Sequence, residues 1–130
     1  MEKIKVSVKL NCTPKEVFTG WLNDAIHAEF TAGAKAKISA SEGGEFSVWD
    51  GYITGTNVEI FPHKRIIQKW RTTDFAATDE DSLLELFFTY KDGATLLTLT
   101  HTNIPNDQGE NYKKGWKDHY FNYMKKYFEK

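Results

Sequence analysis

The sequence has few of the residues that crosslink small proteins or anchor them in membranes. Its 130 residues include one cysteine, Cys12, and three prolines. A single cysteine excludes an intrachain disulfide and a multi-cysteine zinc site, which suits a reducing compartment. No apolar run reaches the length of about 20 residues that a membrane-spanning helix needs, and the lysine-rich start lacks the apolar core of a signal peptide. We therefore expect a cytoplasmic protein without a membrane span.

The chain also lacks an excess of charge of either sign. Seventeen basic and eighteen acidic residues give a net charge of -1. A dedicated nucleic-acid-binding domain normally carries a strong basic excess, so we expect no nucleic-acid partner. Hydrophobic residues at 40% and charged residues at 27% are typical of a globular protein, and this length predicts a single domain over 1–130.

The common motifs of catalytic and metal sites are missing. There is no His-Glu-x-x-His, no Gly-x-Ser-x-Gly and no phosphate-binding loop. The segment from His27 to Glu29 has the spacing of zinc deaminases, but the paired cysteines of those enzymes are absent. The four histidines fall on different predicted elements. We therefore expect no metal ion and no cofactor.

The first third of the chain predicts one strand followed by two short helices. Apolar residues alternate with lysine and serine over 4–10, which is typical of a half-buried strand. Thr13, Pro14 and Glu16 together indicate a helix start, because threonine caps, proline fits the first turn and glutamate completes a capping box. A second short helix is predicted over 25–30, ended by Gly33.

The rest of the chain predicts a block of strands and one long helix. The predicted strands cover 35–41, 45–50, 52–60, 65–73, 83–90 and 94–104, and Lys91-Asp92-Gly93 indicates a hairpin turn. A helix over 108–128 carries an aromatic stripe formed by Tyr112, Trp116, Tyr120, Tyr123 and Tyr127, and widened by Phe121, Met124 and Phe128. Strands joined in series by tight turns imply an antiparallel sheet and an α+β fold, with the stripe packed on that sheet.

Aromatic residues are the one class in excess. Four Trp, six Tyr and nine Phe make up 15% of the chain. Bulky rings can crowd a core or line a hollow, and composition does not decide between these outcomes.

Three motifs resemble the signature of one family. They are the run GGEFSVWDGYITG over 43–55, the run PHKRIIQKWR over 62–71, and Gly115-Trp116 with Tyr120-Phe121. On these motifs the chain resembles, from about Ile4 to Phe128, the C-terminal domain of the activators of the 90-kDa heat-shock chaperone ATPase. The resemblance implies a helix-grip fold, shared by START domains and birch-pollen-allergen-like proteins. In that fold a curved antiparallel sheet of six or seven strands grips the C-terminal helix, often around an apolar cavity.

Three functions follow as alternatives. The first is a non-enzymatic module that binds a hydrophobic or aromatic small molecule in the implied cavity. Its expected lining comprises Phe46, Val48, Trp49, Asp50, Gln68, Trp70, Leu97, Leu99, His101, Trp116, Tyr120 and Tyr123. The rings among these residues could equally close-pack and leave no void. The second function, implied by the resemblance alone, is a co-chaperone that binds the heat-shock chaperone and stimulates its ATPase. The resemblance covers only the C-terminal domain of the eukaryotic co-chaperone, whose N-terminal domain carries much of its grip on the chaperone.

The third alternative is an enzyme like the polyketide cyclases that share the fold. It requires a desolvated carboxylate or histidine, for which Asp50 and His101 are the candidates. Asp50 follows Phe46 and Val48 on an inward face, although an aspartate before glycine is also a common turn residue.

Self-association is the last question that the sequence raises. The strand 83–88 is apolar on both faces, although only one face can meet the helix. An exposed second face would favour a weak homodimer, whereas burial of both faces would favour a monomer.

Overall fold

Seven antiparallel strands form one curved sheet around a long C-terminal helix in the computed structural model, which describes residues 1–129. The strands are β1 (Glu2–Leu10), β2 (Lys37–Ile38), β3 (Glu45–Val48), β4 (Ile53–Phe61), β5 (Arg65–Thr72), β6 (Ser82–Lys91) and β7 (Ala94–Ile104). Two short helices, α1 (Pro14–Trp21) and α2 (Asp24–Phe30), follow β1, and α3 covers 109–128. The α+β helix-grip fold predicted above is confirmed.

The strand order places the first and last strands side by side. The sheet runs β1-β7-β6-β5-β4-β3-β2, and every neighbouring pair is antiparallel. Five of these six pairings join consecutive strands, as the tight turns predicted. Strand β1 pairs with β7 and forms one edge of the sheet, and the short strand β2 forms the other edge. The inner face of the sheet carries the core, and α3 covers it.

Local signals place both short helices correctly. The capping box of α1 is present, because the Thr13 hydroxyl accepts from the Glu16 amide at 3.2 Å and the Glu16 carboxylate accepts from the Thr13 amide at 3.0 Å. In α2, the Asn23 side chain caps by accepting from the Ile26 amide at 3.0 Å. The helix ends at Phe30, as predicted, with Thr31 as its C-cap.

Two predicted strands are shorter than expected. The strand predicted over 35–41 is reduced to β2, and the one predicted over 45–50 ends at Val48. Trp49 and Asp50 have positive φ angles of 53° and 57° and form a 3₁₀ turn with Gly51. A residue in this left-handed region cannot continue a strand, so the alternating pattern stops there.

Helix α3 contains a π-helical segment at its centre. Ordinary α-helix covers Gly109–Gly115 and Asn122–Phe128, with π-helix over Trp116–Phe121. A π turn holds more residues than an α turn, which shifts the face presented after it. Tyr112, Trp116 and Tyr120 are buried as predicted, and so are Phe121 and Met124, which were predicted to widen the stripe. Tyr123 is only half-buried, so its predicted place in the stripe is wrong. None of the helices within residues 1–129 combines the length and apolar character needed to span a membrane.

Candidate functional site

The space between the sheet and α3, where the resemblance implies a cavity, is filled by aromatic rings. The Trp116 ring centroid lies 5.6 Å from that of Trp70 and 4.9 Å from that of Tyr120, and the Trp21 centroid lies 5.2 Å from that of Tyr120. The void beneath these rings measures about 10 Å³, room for at most one water molecule. Its lining includes five of the predicted cavity residues, namely Phe46, Val48, Gln68, Trp70 and Tyr120. Here the described residues close-pack instead of enclosing a cavity.

Leu97, Leu99 and His101 belong to the solid core. All three are fully buried on β7. The Ser82 hydroxyl donates to the Trp70 carbonyl at 2.7 Å, so the His101 Nε2–H donates to that hydroxyl, also at 2.7 Å. The other nitrogen, Nδ1, accepts from the Trp116 indole N–H at 3.2 Å. Burial lowers the pKa of His101 to about 3, so the ring is neutral and both nitrogens are engaged in structure.

A second polar chain crosses the interior through Gln68. The Gln68 side chain accepts from the Trp21 indole N–H at 3.4 Å and donates to the Asn57 side chain at 2.8 Å. Asn57 in turn donates to the carbonyls of Ser39 and Ser41 at 2.6 and 3.1 Å. These hydrogen bonds connect α1 to the loop before β3. Both polar atoms of the Gln68 side chain are therefore used in interior hydrogen bonds.

A third buried hydrogen-bond network joins His27 to Tyr120, and the sequence did not predict it. The Tyr120 hydroxyl donates to His27 Nε2 at 2.8 Å, and His27 Nδ1–H donates to the Trp21 carbonyl at 2.9 Å. Burial lowers the pKa of His27 to about 4 and raises the pKa of Tyr120. The available signal was position, since His27 lies between Ile26 and Phe30 on the apolar face of α2.

Asp50 does not point inward, so its predicted place in the cavity lining is wrong. It is exposed on the 3₁₀ turn, where its carboxylate accepts from the Lys35 amide at 2.8 Å. The positive φ of Trp49 and Asp50 takes Asp50 off the face that Phe46 and Val48 share. An exposed Asp50 and a fully buried His101 do not form a catalytic pair.

The structure instead has an open cleft beside the filled interior. The cleft measures about 620 Å³ and lies between the first half of α3, the 3₁₀ turn and the ends of β4 and β5. Six of its lining residues are aromatic, namely Trp49, Tyr52, Trp70, Tyr112, Trp116 and Tyr120. Of the predicted lining residues, the cleft brings together Trp49, Trp70, Trp116 and Tyr120, whereas Tyr52 and Tyr112 were not predicted.

Polar side chains gather at one corner of the cleft. The Tyr52 hydroxyl donates to the Asp74 carboxylate, and the Tyr112 hydroxyl donates to Gln108 Oε1 at 2.6 Å. Thr72 Oγ1 lies 2.7 Å from the Tyr112 hydroxyl, and Gln108 Nε2 donates to the Asp74 carbonyl at 3.2 Å. Burial raises the pKa of Tyr52 to about 12 and also raises that of Tyr112. Both phenols are therefore protonated at neutral pH and act as donors.

The rim of the cleft is polar and mixed in charge. It includes Asn111, Lys114, Asp118 and His119. Across residues 1–129, no three His, Cys, Asp or Glu side chains converge as the ligands of a metal ion would. The arrangement therefore suits non-covalent recognition of an aromatic or apolar group with polar contacts at one end.

Comparison with known proteins gives a family and a fold. The family described as Activator of Hsp90 ATPase homolog 1-like protein matches residues 11–129. The human activator of 90 kDa heat shock protein ATPase homolog 1 is 29% identical over 97% of this chain. The chain spans only 37% of the length of that human relative.

Solved structures agree with this assignment. The crystal structure of an HSP90 activator from Plasmodium falciparum is 25% identical with a TM-score of 0.88, covering 98% of this chain and 96% of that one. The structure of Ara h 8.0201 shares the fold with a TM-score of 0.74 at 13% identity, over 98% of this chain and 97% of that one. The chain belongs to the family of Activator of Hsp90 ATPase homolog 1-like proteins.

Proposed function

We propose that this protein is a co-chaperone that binds a 90-kDa heat-shock chaperone and stimulates its ATPase. The observation that carries the proposal is the match to the Plasmodium falciparum activator over 98% of this chain and 96% of that chain. The match extends over nearly all of the solved activator chain, which supports the same role for this domain. The longer human relative supports the same partner through its matched part, 37% of its length.

ATP turnover tests this proposal directly. The purified 90-kDa chaperone of the same organism is assayed with increasing amounts of this protein, and turnover that persists with an ATP-site inhibitor is subtracted. We expect a saturable increase in the rate. An unchanged rate at saturating protein would exclude the activator role.

A second function is supported by the open cleft: binding of a small aromatic molecule. The volume of about 620 Å³ lies within the range of about 300–1,000 Å³ that is usual for ligand sites. Six aromatic residues contribute to the wall, and the hydrogen bond from the Tyr52 hydroxyl to the Asp74 carboxylate marks one polar corner. This site differs from the enclosed cavity that the sequence predicted, although it shares four of the predicted residues.

Native mass spectrometry of protein purified without denaturation tests the second function. We expect an adduct of small-molecule mass that Gly115→Phe abolishes, because Gly115 lines the cleft and a Cβ added there meets no side chain from elsewhere nearer than His119, at 3.9 Å. The matched control is Lys113→Phe, at an exposed position of the same helix outside the cleft lining. An adduct that survives Gly115→Phe would place the ligand elsewhere.

A further inference from the structure

We infer that the cleft selects aromatic molecules that carry a protonated amino group over neutral or acidic molecules of the same shape. This inference rests on the proposed small-molecule function and adds the chemical class of the ligand. Three independent features of the cleft support it: the direction of its hydrogen bonds, its charge and its aromatic wall.

The hydrogen bonds at the polar corner leave acceptors facing the cleft. The Tyr52 hydroxyl donates its hydrogen bond to the Asp74 carboxylate, and the Tyr112 hydroxyl donates its hydrogen bond to Gln108. Within residues 1–129, the Tyr52 hydroxyl is the one donor to the Asp74 carboxylate, which lies on an exposed residue. A carboxylate can accept about four hydrogen bonds. The corner therefore offers oxygen lone pairs to an incoming group that donates.

The charge at the cleft has the sign that attracts a cation. Asp74 and Asp118 contribute two carboxylates to the lining, against one ammonium from Lys114. The N-terminus of α3 would favour an anion, but Glu2 already occupies it, outside the cleft lining. The Glu2 carboxylate accepts from the amides of Gly109 and Asp107 at 2.7 and 3.1 Å. The Glu2 carboxylate thus already neutralises the positive end of the helix, which leaves no site there for an anionic ligand.

The aromatic wall favours the same ligand. Trp49 is half-buried and Tyr52 is 39% exposed, so both rings present surface to the cleft, while Trp70, Trp116 and Tyr120 are buried behind them. Aromatic faces carry negative partial charge and attract ammonium groups as well as apolar surface. An aromatic amine would stack its ring on this wall and place its ammonium near Asp74.

The test uses 2-phenylethylamine with two matched probes, 2-phenylethanol and phenylacetate, titrated at pH 7. The readout is the ¹⁵N-labelled indole N–H signal of each of the four tryptophans. Trp49, Trp70 and Trp116 line the cleft, whereas Trp21 does not and serves as the internal control. We expect the amine to shift the first three signals, to shift Trp21 least, and to bind at least about tenfold more tightly than either probe, as charge-assisted hydrogen bonds do relative to neutral ones.

Two variants assign the selectivity to its source. Asp74→Asn keeps the shape and an oxygen for Tyr52 but removes the charge, so we expect the amine to bind about tenfold more weakly and the alcohol to be unaffected. Asp92→Asn removes the same charge at the β6–β7 turn, outside the cleft, and should leave amine binding unchanged. We expect both variants to keep the stability of the fold, and thermal unfolding checks this.

The possible outcomes separate the two ideas. If amine, alcohol and carboxylate bind equally, the inference is overturned while binding in the cleft stands. If none of the three shifts the cleft tryptophans, binding of small aromatic molecules there is overturned as well. Selectivity that persists in Asp74→Asn would overturn the role of the polar corner.

Discussion

Two histidines, His27 and His101, are buried in the neutral form, and this makes the stability of the protein sensitive to acid. The pKa of His27 is lowered to about 4 and that of His101 to about 3, mainly because burial disfavours the charged ring. In the unfolded chain both rings return to a pKa near 6.5. Below that pH the unfolded state binds protons that the folded state does not, so the free energy of unfolding falls as the pH falls.

The expected loss approaches about 1.4 kcal/mol per pH unit for each histidine at pH values between its unfolded pKa and its folded pKa, and is about half as steep at either pKa. Urea unfolding at pH 7, 6 and 5 measures it. His27→Gln should remove about half of the dependence, and the exposed His119→Gln should leave it unchanged. Equal stability of the wild type at pH 7 and pH 5 would contradict the assignment of neutral buried rings.

Trp116 is the residue on which the packing of α3 most depends. Its side chain is 2% exposed, contacts the rings of Trp70 and Tyr120, and donates to His101. Trp116→Ala should reduce the free energy of unfolding by about 3–5 kcal/mol, because it leaves a cavity and removes the donor to His101. Urea unfolding of this variant is compared with Trp49→Ala, at a half-buried position, which should lose less. A loss below about 1 kcal/mol would mean that the ring is not core.

Among the elements, β4 depends on one glycine where it meets its neighbours. A Cβ at Gly55 would overlap the Lys69 carbonyl oxygen and lie 2.5 Å from the Phe46 ring. Gly55→Ala should therefore separate β4 from β5 and lower the free energy of unfolding by about 1–3 kcal/mol. Chemical denaturation measures the loss, and hydrogen exchange should show it first in β4. Wild-type stability in this variant would contradict the close approach.

Helix α3 offers the opposite case at Gly115. The residue has helical φ and ψ angles of -61° and -42°, and the nearest atom to an added Cβ, on His119, is 3.9 Å away. Gly115→Ala should raise the free energy of unfolding by up to about 1 kcal/mol, since alanine loses less backbone entropy in a helix. We expect the thermal unfolding midpoint to rise. A lower midpoint would indicate that the added methyl group clashes with a neighbouring side chain.

For the molecule as a whole, the outer face of the sheet decides whether two copies associate. Phe87 is 36% exposed and Phe61 is 42% exposed, so the second face of the strand 83–88 is only partly covered. The Arg65 guanidinium lies 5.6 Å from the Phe61 ring centroid and 5.1 Å from that of Phe87, and it bridges to Glu85 at 2.7 Å. This cation shields apolar surface that would otherwise favour association.

Arg65→Ala should uncover both rings and increase self-association. Light scattering across a concentration series measures the average mass, which we expect to rise above that of the wild type at equal concentration. Lys69→Ala removes a charge from the same outward face of the same strand, beyond Ile67, and should leave the mass unchanged. Equal masses for Arg65→Ala and the wild type would show that Arg65 does not limit association.

Local signals in the sequence were sufficient for most of the architecture. The capping box at Thr13, the alternation in β1 and the turn after Lys91 each involve neighbours in the chain, and each element lies where it was predicted. The shortened β3 was not predictable in this way, because the alternation continues through Trp49 and Asp50 while the backbone turns to positive φ. The π segment likewise could not be recognised from the spacing of apolar residues, so nothing in the sequence was a reason to exclude Tyr123 from the stripe.

The order of elements and the antiparallel sheet follow from residues close together along the chain, since caps, turns and alternation act over a few positions. The family was indicated by the resemblance of three short motifs. The location of open space does not follow from them. It depends on how the rings of Trp21, Trp70, Trp116 and Tyr120, contributed by α1, β5 and α3, fit against one another. Those rings fill the interior and leave the cleft outside, because close packing is settled by side chains that meet only after the chain has folded.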